Sequence, residues 1–342
     1  MKIAVIGGGW IGCHLTNKLK DEHEITLFEK NEKLFQETSY KNQNRLHLGY
    51  HYARSQKTRD LCLMTYPRFI EDYGNFVNEV GKNYYCVPKK DSLLDLGTYL
   101  AIFNSKNDVV TTPSELIDIE GCINTHEKHI KFQEIHDYFN YILEPYVEFK
   151  EIVESDINLL QKNYDLVIDC TNNHLLPMDE DVIFEPTISL IYERISTNGF
   201  DAITLVDGDL FSIYPYTENE FTLTDVTETP LGKFKTKQEM LDFLSKLEKS
   251  DIQNKLAKFE NNVLKYYPFF LKDFTYKGYF ISTKIKITDK ADNRAPLIKQ
   301  TENFIQCFTG KIQGVYLIED YIKNIIINYG KTTIITPIQV LS

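Results

Sequence analysis

The sequence predicts an α/β fold with two lobes, one on a mostly parallel sheet flanked by helices and one on an antiparallel sheet. Three observations support this prediction. A strand, a glycine-rich turn and a helix open the chain at 1–30, short strands separated by turn residues occupy 188–226, and a strand, a second glycine turn and a helix follow at 304–330. The 342 residues are enough for two lobes of this kind.

The first thirty residues have the pattern of a βαβ unit that binds a dinucleotide. A buried strand, Lys2–Ile6, leads into a G-x-G-x-x-G turn, and a second apolar run ends at Glu29. Gly7 permits the tight turn, Gly9 leaves room for a pyrophosphate, and Gly12 lets the helix pack on the sheet. The helix N-terminus attracts phosphate, and an acid at the end of the second strand accepts hydrogen bonds from ribose hydroxyls. The residues predicted to contact the nucleotide here are Gly7, Gly9, Trp10, Ile11, Gly12, Glu29 and Lys30.

Composition excludes several classes of partner. The net charge is −11 and Lys and Arg form no long blocks, which argues against duplex nucleic acid. Six scattered cysteines without a C-x-x-C pair suggest neither a metal site nor a disulfide framework. No apolar run reaches the roughly 18 residues of a membrane span, and the N-terminus has no leader pattern. We therefore expect a reduced, cytoplasmic protein.

The segment 41–55 is dense in Asn, Gln, Arg, His and Tyr and has little amphipathic period. Such a composition favours a segment that runs along a large polar ligand, because binding residues concentrate on loops. A solvated loop with one capping Asn is the alternative.

These residues carry a resemblance to a known family. The fingerprint, Glu29, Ser39 and the pattern Asn42-Gln43-x-Arg45-x-His47-x-Gly49 resemble the FAD-dependent oxidoreductases of the D-amino-acid oxidase and glycine oxidase superfamily, and most of all its uncharacterised bacterial branch. The resemblance implies a Rossmann-like FAD-binding domain of the glutathione-reductase type, interleaved with an α+β substrate domain. It places Ser39 at the pyrophosphate and His47 close to the isoalloxazine ring. The residues that it places along the ribityl chain and flavin are Asn42, Gln43, Asn44, Arg45, Leu46 and His47.

The middle of the chain alternates helix and strand patterns. A helix is expected over 55–72, with Pro67 kinking or ending it. Strands are expected over 84–87, 99–103 and 164–169, a strand pair in 146–154, and a short helix from Thr112. In the family the strand at 164–169 ends in Ala-Thr-Gly; here Thr171 matches and the glycine is absent. By resemblance Thr171 and Val153 contact the cofactor, Val153 through its backbone at the adenine.

The second half predicts the antiparallel sheet and the closing elements. Strands are expected at 188–192, 202–206, 211–214, 221–224, 278–287 and 304–308, and helices at 236–247, 250–263 and 315–329, the last stopped by Gly330. The turn before the last helix resembles the family's flavin clamp, in which a helix N-terminus faces the flavin edge that gains negative charge. The residues implied there are Gly310, Lys311, Ile312 and Gln313.

The resemblance implies an FAD-binding domain over 1–82, 137–180 and 280–342 and a substrate domain over 83–136 and 181–279. The leading prediction is oxidation of a C–N bond in a small amine or amino acid by hydride transfer to flavin N5. Arg294 would clamp a substrate carboxylate, supported by Tyr214. An alternative is oxidation of a 2-hydroxy acid or sugar-like alcohol, with His47 or His51 as base. A second alternative is a non-redox mutase or binding protein. The electron acceptor (O2 or another), covalent attachment of flavin and the oligomeric state stay open.

Overall fold

The computed structural model describes residues 1–106, 108–178, 182–197, 199–287, 294–329 and 339–340. Its strands, in chain order, are β1 (Lys2–Ile6), β2 (Glu24–Glu29), β3 (Arg45–Leu46), β4 (Val77–Asn78), β5 (Asn83–Pro88), β6 (Val109–Val110), β7 (Ile119–Asn124), β8 (Lys128–Ile130), β9 (Val147–Phe149), β10 (Leu166–Asp169), β11 (Val182–Arg194), β12 (Ala202–Leu205), β13 (Phe211–Pro215), β14 (Glu220–Asp225), β15 (Phe274–Ile287), β16 (Leu297–Thr301), β17 (Phe304–Phe308) and β18 (Gln339–Val340).

The helices pack around these strands. In chain order they are α1 (Trp10–Leu19), α2 (Gln56–Tyr73), α3 (Leu96–Phe103), α4 (Phe132–Ile142), α5 (Ile157–Asn163), α6 (Lys237–Leu244), α7 (Lys249–Leu264), α8 (Phe270–Asp273) and α9 (Val315–Asn328). Short 3-10 turns lie at Gly74–Phe76, Glu144–Tyr146, Glu154–Asp156 and Ile312–Gly314. No helix among the described residues has the length and hydropathy that a membrane span requires.

The first sheet has the strand order β18-β16-β17-β10-β1-β2-β9. The pairs β17–β10, β10–β1, β1–β2 and β2–β9 are parallel, so the carboxyl ends of these strands meet at one edge. Helix α1 crosses between β1 and β2, as the opening fingerprint predicts. The core under this sheet contains Ile3, Leu27, Leu166, Ile305 and Ile322. This edge is where open α/β sheets bind ligands.

The second sheet has the order β15-β11-β14-β13-β12-β5-β7-β6, and every neighbouring pair is antiparallel except β12–β5. Apolar side chains on one face, including Leu190 and Leu223, pack in one core with Phe259 of α7 and Phe270 of α8. The other face turns toward the first sheet. A small three-stranded sheet, β3-β8-β4, joins the two lobes.

Three local predictions are corrected by the structure, and a fourth, that Pro67 kinks or ends its helix, is narrowed because the helix does not end there. Residues 99–103 belong to helix α3, because Asp95 caps its first turn by accepting a hydrogen bond from Thr98 N and so favours helix over strand. Residues 112–115 form no helix; a turn lies at 114–115. Only one strand, β9, lies within 146–154. Helix α2 continues through Pro67.

The cysteines require a further correction. Cys86 and Cys122 face each other on β5 and β7 and form a disulfide, whereas the sequence spacing suggested no disulfide. Antiparallel pairing brings the two residues together despite the 36 positions between them. The other four cysteines are buried thiols: Cys13, Cys62, Cys170 and Cys307.

The expected domain bounds stay a prediction. All seven described strands of the first sheet fall in the ranges assigned to the FAD-binding domain, whereas β15 of the second sheet runs across the proposed boundary at 280. Gly330, the expected stop of α9, lies outside the described residues, and so does position 180, where one segment was expected to end.

Candidate active site

A cavity of about 1050 Å³ lies between the two sheets. Its walls are the carboxyl ends of β1, β2 and β10, the polar segment after β2, one face of the antiparallel sheet and the turn before α9. Sites for single small ligands measure about 300–1,000 Å³, so this one has room for a dinucleotide and a small substrate together.

The glycines of the fingerprint shape one end of the cavity. Gly7 has φ +101°, a conformation that favours glycine. A Cβ on Gly12 would lie 1.9 Å from the Gly7 carbonyl oxygen, so α1 packs on the turn only because this side chain is absent. A Cβ on Gly9 would lie 2.9 Å from Ser39 Oγ, which accepts a hydrogen bond from Trp10 N at 2.9 Å. The helix N-terminus and Ser39 therefore meet at the cavity wall, as expected of a phosphate cradle.

Glu29 lies at the same end, at the carboxyl terminus of β2. One oxygen accepts a hydrogen bond from Gly8 N at 2.7 Å, and the other accepts from the backbone and side chain of Asn31. These bonds fix the orientation of the carboxylate beside the glycine turn. Lys30 pairs with Glu37 at 3.0 Å, and Val153, half exposed, lines the wall opposite.

The residues at the end of β10 explain the missing glycine of the family pattern. Asn172 has φ 55°, a left-handed conformation that asparagine tolerates better than most residues. Thr171 donates its N–H and hydroxyl to Asp169 Oδ1 and lines the cavity. The tight turn is thus retained without glycine.

The polar segment after β2 is held in place by its own amide side chains. Asn42 donates to the Thr38 and Ser39 carbonyls and accepts from Asn44 N at 2.6 Å. Gln43 donates to Thr222 Oγ1 on the antiparallel sheet. Asn42, Gln43 and Asn44 line the cavity, whereas Leu46 does not: its side chain is fully buried in the core of the first sheet, and this placement does not support its expected contact with the flavin.

Arg45 joins the lobes. Its guanidinium donates to Tyr85 OH, Thr204 Oγ1 and Ser212 Oγ at 2.7–2.9 Å and lies 3.9 Å from the centroid of the Tyr214 ring. These donor groups of Arg45 thus face the antiparallel sheet. Tyr214 is fully buried beneath it and does not line the cavity, so this placement does not support the expected contact between Tyr214 and substrate.

His47 lines the cavity and has a buried carboxylate behind it. His47 Nδ1 lies 3.5 Å from Glu127 Oε1. Glu127 accepts hydrogen bonds from Leu48 N at 2.8 Å, from Gly49 N at 3.2 Å and from Tyr85 OH at 2.6 Å. The carboxylate is therefore held in one orientation toward the imidazole.

The charges around His47 set its protonation. Burial lowers the pKa of His47 to about 4, Lys311 lowers it too, and Glu127 opposes the shift. Burial alone would raise the pKa of Glu127, but His47, Arg45 and the Tyr85 hydroxyl outweigh it and hold that pKa at about 2. At neutral pH the pair is an imidazole next to a carboxylate, an arrangement able to accept a proton.

The flavin end of the expected site contains further polar residues. His51 lines the cavity, and burial, followed by the charges of His47 and Arg45, lowers its pKa well below the ordinary value. Gln313 donates to the His47 carbonyl at 2.9 Å and so ties the last turn to the histidine segment. Lys311 Nζ lies 4.3 Å from the Tyr52 ring centroid.

Arg294 reaches the cavity beside the same turn. A Cβ on Gly310 would lie 3.1 Å from Arg294 Cδ, so the arginine packs on the glycine backbone. Ile312 also lines this wall. The structure brings Arg294, Lys311, His47 and His51 to one cavity, although they come from distant parts of the sequence.

Sequence reasoning missed Glu127 and Tyr85. Glu127 lies between β7 and β8, 80 positions from His47 along the chain. The run His126-Glu127-Lys128-His129 was the available signal, but only the pairing of β8 with β3 brings Glu127 behind His47.

A parallel sheet, a glycine cradle and an antiparallel lobe over one cavity make up the fold of the D-amino-acid oxidase type of flavoprotein, and the expected fold class is confirmed. The fold is shared with glycine oxidase from Geobacillus kaustophilus (TM-score 0.69, 12% identity, 96% of this chain and 95% of that chain). It is also shared with L-α-glycerophosphate oxidase from Mycoplasma pneumoniae (TM-score 0.68, 12% identity, 96% and 94%).

Sequence comparison identifies the family. The chain is 34% identical over 337 residues to FAD-dependent monooxygenase FPY4 of Fusarium mangiferae, covering 95% of this chain and 90% of FPY4, and it belongs to that family of FAD-dependent oxidoreductases. FAD-dependent monooxygenase kojA of Aspergillus flavus is 24% identical, covering 92% of this chain and 83% of kojA. These relatives are fungal, so the expected bacterial branch is not confirmed. No protein-family model matches the chain.

Proposed function

We propose that this protein oxidises a CH–OH group of a small polar substrate to a carbonyl, using FAD. The observation that supports the proposal is the His47–Glu127 pair in the wall of the cavity. Alcohol oxidation requires removal of a hydroxyl proton together with a hydride from carbon, and a neutral imidazole backed by a carboxylate suits the first task. This reverses the order of the two redox hypotheses that the sequence suggested.

The residues present fit FAD. Gly9 and Gly12 leave the space that a pyrophosphate and a close helix need, the N-terminus of α1 faces the cavity, and Glu29 is fixed beside it. The residues that would hold FAD are Gly7, Gly9, Trp10, Ile11, Gly12, Glu29, Lys30, Ser39, Asn42, Gln43, Asn44, Val153, Thr171, Gly310, Lys311, Ile312 and Gln313. When bound, FAD supplies the acceptor for the two electrons of the hydride.

His47 acts on the substrate proton. With Nδ1 toward Glu127, Nε2 is the atom that accepts the hydroxyl proton, and the nearby carboxylate stabilises the imidazolium that results. Lys311 keeps the resting imidazole neutral by raising the cost of protonating it. His51, partly buried in the same wall, orients the substrate oxygen.

Oxidation of a C–N bond is a second candidate. Arg294 lines the cavity beside Gly310, and a guanidinium there suits a substrate carboxylate. An amine substrate binds as the free amine and has no obligatory need for the His47–Glu127 pair.

The names of the fungal relatives add monooxygenation as a third candidate. That reaction needs a reductant such as NADPH in addition to O2. Bleaching of the flavin by NADPH without an organic substrate would favour it. Membership in an oxidoreductase family favours redox chemistry over the non-redox alternative.

The test begins with the absorption spectrum of the purified protein before and after denaturation and filtration. Flavin bands that pass into the filtrate would identify non-covalent FAD, whereas flavin retained with the protein would point to covalent attachment at His47. Alcohols, hydroxy acids, amines and amino acids are then screened for anaerobic bleaching. Bleaching by alcohols is expected; bleaching only by amines, or a colourless protein that FAD does not reconstitute, would overturn the proposal.

A further inference from the structure

Four hydroxyl side chains form one row across four neighbouring strands of the antiparallel sheet. Thr204 on β12 pairs with Ser212 on β13, and Ser212 pairs with Thr224 on β14. Ser189 on β11 continues the row, one residue beyond the Leu190–Leu223 pair of β11 and β14. We call Thr204, Ser212, Thr224 and Ser189 the hydroxyl row.

The row lies on the face of the sheet that turns toward the cavity. Leu190 and Leu223, one residue away on each strand, point into the core on the opposite face. Ser212, Thr224 and Ser189 line the cavity, while Thr204 lies just beneath. Adjacent strands are about 4.8 Å apart, so the row extends roughly 10 Å from Ser212 to Ser189.

Two hydroxyls of the row, those of Thr204 and Ser212, form hydrogen bonds with other side chains of the protein, and over the part of the chain that the structure describes the other two do not. Arg45 donates to Thr204 and Ser212, which also contact each other at 3.1 Å. Among the described residues, no side-chain hydrogen bond involves the hydroxyl of Ser189 or Thr224. Ser189 is only 7% exposed and lines the cavity, so the accessible part of the residue lies in the cavity wall. The two hydroxyls therefore offer hydrogen bonds to a molecule inside the cavity.

The chemistry of this wall identifies a class of ligand. A hydroxyl both donates and accepts but carries no charge, so it suits hydroxyl groups better than a carboxylate or an apolar side chain. A site with such groups also rejects an analogue that leaves them unpaired. Arg45 bonds the Ser212 end of the row and lies two positions from His47 along the chain, and the row and His47 line the same cavity.

We propose that Ser189 and Thr224 are specificity residues that bind the hydroxyl groups of a neutral polyhydroxylated substrate, such as a sugar or a polyol. The proposal rests on the proposed alcohol oxidation and narrows its substrate class. It differs from recognition of an amino acid, which would use charged groups.

The test measures binding separately from turnover. D-Glucose, D-sorbitol and myo-inositol, their monodeoxy counterparts, and glycine and D-alanine are titrated by calorimetry into the anaerobically reduced holoenzyme, which cannot oxidise an alcohol. The variants are Ser189→Ala and Thr224→Val. Ser105→Ala is the control, because Ser105 is a buried serine whose hydroxyl, within the described part of the chain, bonds only the Phe103 carbonyl, and the residue does not line the cavity.

We expect at least one polyol to bind more tightly than its deoxy counterpart and than either amino acid. Each variant is expected to weaken that binding about fivefold to tenfold, the effect of one lost hydrogen bond, with FAD content unchanged. Ser105→Ala is expected to bind as the unmodified protein does. Binding of none of the three polyols, or polyol binding that neither variant weakens, would overturn the proposal.

Failure of this inference is distinguishable from failure of the proposed function. Alcohol-dependent bleaching that is unchanged in both variants contradicts the role of the row but leaves alcohol oxidation intact. Polyol binding that depends on Ser189 without any bleaching of the oxidised enzyme contradicts alcohol oxidation but supports the role of the row.

Discussion

At the scale of single residues, Glu127 determines how readily His47 accepts a proton. Burial makes a charged imidazole unfavourable, so His47 is neutral at rest, and the fixed carboxylate favours the imidazolium only when a proton arrives from the cavity side. The hydrogen bonds from Leu48 N, Gly49 N and Tyr85 OH keep Glu127 ionised without moving it from His47.

Glu127→Gln tests this relation. The amide retains an acceptor for the two backbone N–H groups but no longer stabilises the imidazolium, so alcohol-dependent flavin reduction should fall by about 10²- to 10⁴-fold. Stopped-flow reduction under anaerobic conditions measures it, with FAD content as the check on folding. Glu79→Gln, which removes a surface carboxylate paired with Lys128, is the control. An unchanged reduction rate in a variant that retains FAD would show that Glu127 has no such role.

At the scale of elements, the junction of β1 and α1 depends on glycines, which have no side chain. At Gly12 the added Cβ would meet backbone that cannot move, whereas at Gly9 it would meet the side chain of Ser39, which can rotate. Substitutions at Gly12 and Gly9 therefore distinguish an effect on folding from an effect on FAD binding.

We predict that Gly12→Ala lowers the thermal midpoint strongly or prevents folding, because the contact of 1.9 Å forces α1 away from the sheet. Gly9→Ala should fold but bind FAD at least tenfold more weakly, since the methyl group occupies the phosphate approach. Gly74→Ala is the control, as its nearest atom would be 3.6 Å away. Thermal denaturation and FAD titration measure the two effects. Equal FAD affinity in Gly9→Ala and the unmodified protein would contradict the assignment.

At the scale of the whole molecule, Arg45 couples the two lobes. It belongs to the segment that follows the nucleotide-binding unit, yet its hydrogen bonds go to β5, β12 and β13 of the other sheet. The lobes therefore share a buried polar network, and neither has a complete site without the other.

Arg45→Lys keeps the charge but loses the planar fork that reaches three acceptors, so it leaves buried hydroxyls unpaired. We expect a loss of about 2–4 kcal/mol in the free energy of unfolding. Urea denaturation of the holoprotein measures it. Arg54→Lys, at an exposed ion pair with Asp207, is the matched control and should change stability by less than about 1 kcal/mol. Equal stability of the two variants would contradict the role of Arg45 in joining the two lobes.

Buried histidines make the stability depend on pH. Burial lowers the pKa of His47, His129 and His174 to about 4, against 6.5 in the unfolded chain. Between pH 6.5 and 4 the unfolded chain therefore binds protons that the folded protein does not, and stability falls by about 3 kcal/mol for each such histidine. Asp169 has the opposite effect on stability, because burial raises its pKa to about 6 and the folded protein therefore binds this proton more readily than the unfolded chain does. Its contribution offsets the loss from about one histidine.

We predict that the thermal midpoint is level from pH 8 to 6.5 and falls steadily toward pH 4. His129→Leu, which removes one buried histidine away from the cavity, should reduce the slope. Differential scanning calorimetry across this range measures both. A midpoint that does not change between pH 6.5 and 4.5 would contradict the burial of neutral histidines.

The sequence by itself determined the parts whose physics is local. The order strand, glycine turn, helix and second strand fixes a βαβ unit, because tight turns and close helix packing depend on glycine at set spacings. Alternation and turn residues likewise located the antiparallel strands. Helix α3 was missed because its apolar run suits a strand equally well, and only the Asp95 cap favours the helix.

Only the tertiary structure decided which distant residues meet. Glu127 lies behind His47 through the β3–β8 pairing, Tyr214 lies under Arg45 rather than in the cavity, and the hydroxyl row arises from the register of four strands. The physical reason is that register and lobe packing depend on contacts summed over the whole core. A local sequence pattern specifies which side of a strand a residue occupies but not which residue faces it.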